Sequence, residues 1–394
     1  MSISPATPDR LLLGPGPSNT HPRVREAQSR PLLGHLDPAF LEVMNEVQDL
    51  LRYVFETSNR MTIPISGTGS AGMECAVCNF VEEGDSVLVG VHGVFGARIA
   101  ECARRAGGEV HTVEAPFGEP LDSADLQRSA EEHRPKIIAV VQAETSTGVL
   151  QPLEPIRSIC DLYDALLLVD AVTSLGGHPV RVDHNRIDIC YSGTQKCLSC
   201  PPGLAPLTAS EEAMLKLSSR RRPVRSWYLD LSLLASYWGS DRAYHHTAPI
   251  SMNYALREAL RLVHEEGLQT RWGRHRSAHQ ALVAGIEAMG LKMHVEEPYR
   301  LWPLNTVSIP EGISDADVRK RLLSEFNIEI GGGLGALAGK VWRIGLMGHN
   351  ATPRNVLFFL HALEQCLQAE GFSLTPGAAP QAASTAFQHP APVE

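Results

Sequence analysis

Two side chains of opposite charge pose the first chemical question. Asp170 ends the apolar run Ala165-Leu166-Leu167-Leu168-Val169-Asp170. Lys196 follows a second such run, Ile187-Asp188-Ile189-Cys190-Tyr191, through the small-residue turn Ser192-Gly193-Thr194-Gln195. Short apolar runs of this kind read as buried strands. Two adjacent parallel strands would deliver the carboxylate and the amine to one sheet edge, where open α/β sheets bind ligands. A lysine that forms a Schiff base and an acid that pairs with a pyridinium nitrogen are what pyridoxal phosphate (PLP) demands of a protein. Taken singly, each residue has a plainer reading: a surface lysine, and a strand-end acid serving as a helix cap.

Other candidates lie at the ends of strand-like runs. Met61–Ile65 leads into Ser66-Gly67-Thr68-Gly69-Ser70-Ala71-Gly72 and then a helical stretch. A glycine-rich turn opening a helix offers backbone N–H groups to an anion, and Thr68 and Ser70 add hydroxyls. The turn lacks the lysine of a P-loop and the paired acid of a dinucleotide fingerprint, but it suits a phosphate monoester. Phe95, in His92-Gly93-Val94-Phe95-Gly96, reads equally as a residue stacking on a pyridine ring or as a core phenylalanine. Thr145, in Glu144-Thr145-Ser146-Thr147-Gly148, is either a partner for a ring hydroxyl or an ordinary turn residue. Arg343 sits inside the apolar run Val341-Trp342-Arg343-Ile344-Gly345. A buried cation needs a partner, and the planar guanidinium suits either a substrate carboxylate or an internal salt bridge.

The elements that must position these residues alternate. Strand-like runs at Met61–Ile65, Ser86–Val91, Glu109–Val113, Lys136–Gln142, Ala165–Asp170 and Ile187–Tyr191 are separated by helical stretches such as Gly96–Ala106 and Asp122–His133, with Gly203–Thr208 as an added strand. This pattern predicts βαβ units and a mostly parallel sheet. Past residue 253 the texture changes to long helices over Tyr254–Met289 with a break at Gly267. Then come strands near Thr306–Ile309, Ile328–Ile330 and Val341–Leu346, and helices over Asp315–Glu325 and Pro353–Ala369. The expected division is an arm over residues 1–20 contacting a second subunit, a large α/β domain over 21–252 and a small α+β domain over 253–372. Residues 373–394 are Pro/Ala/Ser/Gln-rich and read as a disordered tail.

Composition narrows the classes. The chain has 394 residues, 43% of them hydrophobic and 20% charged, an ordinary globular balance. A net charge of −9 argues against a nucleic-acid partner. No apolar run reaches membrane-spanning length. The start shows no signal-peptide core and the end no peroxisomal tripeptide, so a cytoplasmic location is expected. The C-x-x-C pairs Cys75/Cys78 and Cys197/Cys200 are expected to be small core residues rather than a zinc or redox site; no metal is expected.

Together, Gly14-Pro15-Gly16-Pro17-Ser18-Asn19, Ser66-Gly67-Thr68-Gly69, Glu144-Thr145-Ser146-Thr147-Gly148, Asp170 with Ser174-Leu175-Gly176-Gly177, Ser192-Gly193-Thr194-Gln195-Lys196, Tyr244-His245-His246-Thr247 and Arg343-Ile344-Gly345 resemble the class V aminotransferases of PLP fold type I. The likeness is greatest to alanine–glyoxylate and serine–glyoxylate (serine–pyruvate) aminotransferases. The resemblance runs in order from about residue 10 to 370. It implies PLP as cofactor, with Lys196 carrying the Schiff base and moving protons, and Asp170 on the ring nitrogen. Phe95 and Val172 would lie on the two ring faces. Thr68, Gly69, Ser70 and Gln195 would bind phosphate and Thr145 the ring hydroxyl. Arg343, helped by backbone near Gly16, would hold the substrate carboxylate. Tyr244 and Thr247 resemble residues lent to the phosphate of a neighbouring subunit, which implies a homodimer with shared sites. Some relatives have His in place of Ser70 and Trp in place of Phe95. The expected reaction moves an amino group from alanine to glyoxylate, with serine as the alternative donor. Cysteine desulfuration would need a mobile cysteine in the small domain, where Cys366 alone follows Cys200; phosphoserine transamination would need further basic residues. A reading of another class is a non-catalytic nucleotide-binding module.

Overall fold

The computed structural model describes residues 7–389. Its centre is a sheet of seven strands: β1 (Met61–Ser66), β2 (Ser86–Val91), β3 (Glu109–Glu114), β4 (Ile137–Val141), β5 (Leu166–Asp170), β6 (Ile189–Tyr191) and β7 (Leu204–Ala209), in the order β1-β7-β6-β5-β4-β2-β3. All neighbouring pairs are parallel except those of β7, which runs antiparallel to both β1 and β6. β4 and β5 are buried at every position. A strand covered by helices on both faces can be apolar throughout, so these two read as unbroken hydrophobic runs rather than alternating ones.

β5 and β6 are parallel neighbours, with Asp170 opposite Tyr191. The helices Gly69–Phe80 and Val94–Ala106 begin directly after β1 and β2. Every candidate on the large sheet is therefore delivered to one edge, by strand ends and helix beginnings. The expected mostly parallel α/β sheet is the one observed.

A second, antiparallel sheet comprises β8 (Lys292–Met293), β9 (Leu304–Ser308), β10 (Gly331–Gly332) and β11 (Val341–Gly345), in the order β8-β9-β11-β10. In it Arg343 lies opposite Thr306 on one side and Gly331 on the other. Two apolar cores result. The larger extends to Trp272, and the smaller takes up the same helix, Leu268–Ala288, from Ala278 onward. The helix Ile250–Glu266 packs in the larger core, so the cores part inside the following helix and not at residue 252. The predicted break at Gly267 falls between the two helices, where φ is +78°.

The termini add two findings. Residues Leu11–Leu13 of the expected arm join this chain's own smaller core, and residues 1–6 of that arm lie outside the described residues. Leu11–Leu12 pairs in parallel with Ile328–Glu329, Leu13 is wholly buried in the smaller core, and the Gly345 N–H donates to the Leu13 carbonyl at 2.8 Å. The expected disordered tail contains a helix, Ala378–Gln388, with Ala379 and Ala383 fully buried. Alanine is the best helix former, and the small residues at i and i+4 let this helix lie close against Leu268–Ala288: a Cβ on Gly285 would come within 3.1 Å of the Ala379 carbonyl oxygen. Residues 390–394 of that expectation lie outside the described residues. No helix of the described residues is long and apolar enough to cross a membrane.

Candidate active site

Lys196 lies beyond the end of β6, 9% exposed. Its Nζ donates to the Pro15 carbonyl, and the arm presses so close that a Cβ on Gly16 would stand 2.7 Å from Nζ. Only glycine fits there, and its φ of +108° is a conformation that favours glycine. Desolvation lowers the Lys196 pKa to about 8; Arg343 adds to the fall, and nearby anionic groups including Asp170 oppose it. A neutral amine is thus accessible near physiological pH.

Asp170 is 2% exposed. One carboxylate oxygen accepts from the Val172 N–H at 2.8 Å and the other from the Tyr191 hydroxyl at 2.7 Å. Burial raises its pKa to about 6, against those two hydrogen bonds. The sequence gives Tyr191 no role beyond ending a strand-like run. Its hydroxyl reaches Asp170 because the two residues are register partners on adjacent strands, a pairing that motif spacing does not reveal.

The two helix beginnings at this edge differ in one decisive respect. At Val94–Ala106 the first three N–H groups are satisfied: Val94 donates to Ser146 Oγ at 2.9 Å, and Phe95 and Gly96 donate to the Glu144 carboxylate at 3.1 and 3.4 Å. At Gly69–Phe80, Thr68 caps the helix without any side-chain bond, and the N–H groups of Thr68, Gly69 and Ser70 have no acceptor among the described residues. Thr68 and Ser70 are exposed. Gln195 Oε1 is buried without a partner, and a Cβ on the adjoining Gly193 would lie 2.9 Å from it. A Cβ on Gly69 would meet Val172 Cγ2 at 3.3 Å and Gly193 Cα at 3.6 Å. The segments around Val172 and Gly193 therefore close in on the free N–H donors of Thr68, Gly69 and Ser70, which are the donor chemistry of a phosphate cradle. Beside it stand a buried carboxylate for a ring nitrogen and an amine of lowered pKa. The residues fit PLP.

The remaining candidates frame this edge. Phe95 is half-buried, with the Arg98 guanidinium 4.8 Å from its ring centroid. The Thr145 hydroxyl bonds that of Thr173. Arg343, 6% exposed, donates to the Gly332 carbonyl at 2.7 Å and to the Thr145 carbonyl at 3.1 Å. It forms no ion pair among the described residues, so the internal-salt-bridge alternative fails. Burial lowers its pKa.

Among the described residues Tyr244 and Thr247 make no hydrogen bond to this chain's own candidate residues: both are exposed, and Tyr244 rests on His35 with ring centroids 4.9 Å apart. Cys366 is buried in the final long helix of the small core, where a mobile nucleophile cannot operate. Cys75, Cys197 and Cys200 are buried and Cys78 is partly so, and all four are free thiols.

Comparison with known proteins agrees with this geometry. The family profile "Aminotransferase class-V" matches residues 25–352. The chain belongs to the class V aminotransferases. It is accordingly an aminotransferase that uses PLP. A Bacillus subtilis relative named (S)-ureidoglycine–glyoxylate transaminase is 42% identical over 97% of this chain and 96% of its own length. The alanine–glyoxylate aminotransferase of Callithrix jacchus is 44% identical over 92% of this chain and 88% of its own. The crystal structure of an alanine–glyoxylate aminotransferase from Nostoc sp. superposes with a TM-score of 0.91 at 53% identity, covering 93% of this chain and 98% of the other.

Proposed function

We propose that this aminotransferase moves the amino group of a small amino acid, alanine by preference, to glyoxylate, giving pyruvate and glycine. The observation that carries the reading is Arg343. It is a buried guanidinium with no carboxylate partner in the described chain, set among Gly331, Gly332 and, on the Lys196 side, Gly16. Such a group binds an α-carboxylate in a fork, and glycine walls favour a small side chain. Both kinds of relative reported above carry glyoxylate in their names, which supports it as acceptor; their names differ in the donor.

In this reading Thr68, Gly69, Ser70 and Gln195 bind the cofactor phosphate. Phe95 and Val172 hold the ring faces, Thr145 the ring hydroxyl, and Asp170 the ring nitrogen. The bound cofactor supplies an electron sink for the substrate Cα–H bond. Lys196 Nζ would take up and hand back the substrate Cα proton, a task its lowered pKa suits. Arg343 orients the substrate so that this proton faces Lys196.

Tyr244 and Thr247 serve the phosphate of a second subunit. This is supported by the exposed aromatic side chains around this segment: Trp227 stacks on His245 at 4.2 Å, Tyr228 lies 4.7 Å from His246 and Tyr244 4.9 Å from His35. Clustered exposed apolar groups of this kind mark an association site.

Initial rates with alanine, serine, (S)-ureidoglycine, aspartate and glutamate against glyoxylate test the donor reading. Alanine should give the highest kcat/KM and serine the next. Aspartate or glutamate matching alanine would overturn the small-donor assignment, and (S)-ureidoglycine exceeding it would reassign the donor.

A further inference from the structure

We propose that Glu144 is a positioning residue of this site, fixing Phe95 on the cofactor ring. The inference rests on the cofactor placement proposed above. Glu144 is completely buried. One oxygen accepts from the Ser146 N–H at 3.0 Å and the Ser146 hydroxyl at 2.6 Å; the other accepts from the Phe95 and Gly96 N–H groups. All four partners are donors, an arrangement that a carboxylate satisfies and an amide does not.

The helix Val94–Ala106 has no cap of its own, because its N-cap is Gly93. That glycine is also what admits Glu144: a Cβ there would lie 2.3 Å from Glu144 Cγ. The negative charge at a helix beginning is favourable, and the group it grips is the backbone N–H of Phe95 itself. Any displacement of the carboxylate therefore displaces Phe95 directly. On the other side of the same tripeptide, the Thr145 carbonyl accepts from Arg343 and its hydroxyl bonds Thr173. Residues 144–146 thus tie the ring-stacking side chain, the candidate ring-hydroxyl partner and the carboxylate clamp into one hydrogen-bonded unit.

The test is a double-mutant cycle read by PLP affinity of the apoprotein and by the visible circular dichroism of bound cofactor. Glu144→Gln turns one acceptor into a donor facing donors, and should raise the PLP dissociation constant about tenfold and weaken the dichroism. Phe95→Leu should do much the same. If Glu144 acts through Phe95, the double variant should resemble Phe95→Leu alone rather than multiply the two effects. Wild-type affinity and dichroism in Glu144→Gln, or multiplicative effects in the pair, would overturn the proposal. Should Glu144→Gln not fold, Ser146→Ala removes one donor to Glu144 and the acceptor of the Val94 N–H. It should weaken PLP binding about threefold, again without adding to Phe95→Leu; additivity overturns the proposal by this route too. Borohydride reduction of the wild-type holoenzyme keeps the two readings apart, because an adduct on a lysine other than Lys196 removes the cofactor placement itself.

Discussion

Lys196 and Asp170 are opposite cases of the same force. Burial disfavours charge on either group, so the amine is lowered to about 8 and the acid raised to about 6. The sign sets a pH dependence. The unprotonated amine is the reactive form, and below pH 8 its fraction falls roughly tenfold per pH unit. The rate of PLP uptake by the apoprotein should therefore rise between pH 6 and 8 and level off above, as followed by the growth of visible absorbance. A flat profile across that range would place the reactive amine elsewhere. Lys196→Ala should fold but lose the reducible link to the cofactor and nearly all turnover. Asp170→Asn removes the charge while keeping the shape. It should cost roughly a hundredfold or more in kcat, with thermal stability little changed, measured by stopped-flow half-reactions and a melting curve.

At the scale of elements, the C-terminal helix Ala378–Gln388 shows how a segment whose buried face is built mainly of alanine can be held. Glu364, 1% exposed on the preceding helix Pro353–Ala369, accepts from the Gly377 and Ala379 N–H groups, both at 2.9 Å. The helix beginning is thereby capped from another element, and Gly377 supplies no side chain to do it locally. Glu364→Gln would set an amide N–H against one of those donors, a loss of about 2 kcal/mol. The expected result is a lower unfolding midpoint with kcat and KM for alanine unchanged, since this helix touches no candidate site residue. A kinetic change at full folding would mean that the helix communicates with the active site.

At the scale of the molecule, one chain carries all the proposed groups except those proposed to come from a second subunit. If Tyr244 and Thr247 act across a dimer, inactive Lys196→Ala and a Tyr244→Phe/Thr247→Ala variant should complement each other. A mixed dimer contains one site with an intact lysine and an intact pair. Refolding the two together should restore about a quarter of wild-type activity: half the dimers are mixed, each with one working site of two. Mixed dimers demonstrated by tag pull-down but devoid of activity would confine Tyr244 and Thr247 to their own subunit.

Much of the architecture was legible in the chain because its signals are local. Apolar runs of strand length, glycine-rich turns and the charged residues at their ends placed β1 to β7 within a residue or two and set Asp170 and Lys196 on one edge. What the tertiary structure alone decided are contacts between segments far apart in sequence. The Pro15 carbonyl meets Lys196 across 181 positions, the Tyr191 hydroxyl reaches Asp170 through strand register, and Glu144 caps a helix that starts 50 residues earlier. The same holds for the division of the two cores inside the helix Leu268–Ala288 and for the helix in the Ala-rich tail. Periodicity reports which face a segment buries, and turn chemistry reports where it ends. Neither reports which segment will cover that face, because that follows from the shape complementarity of the assembled chain.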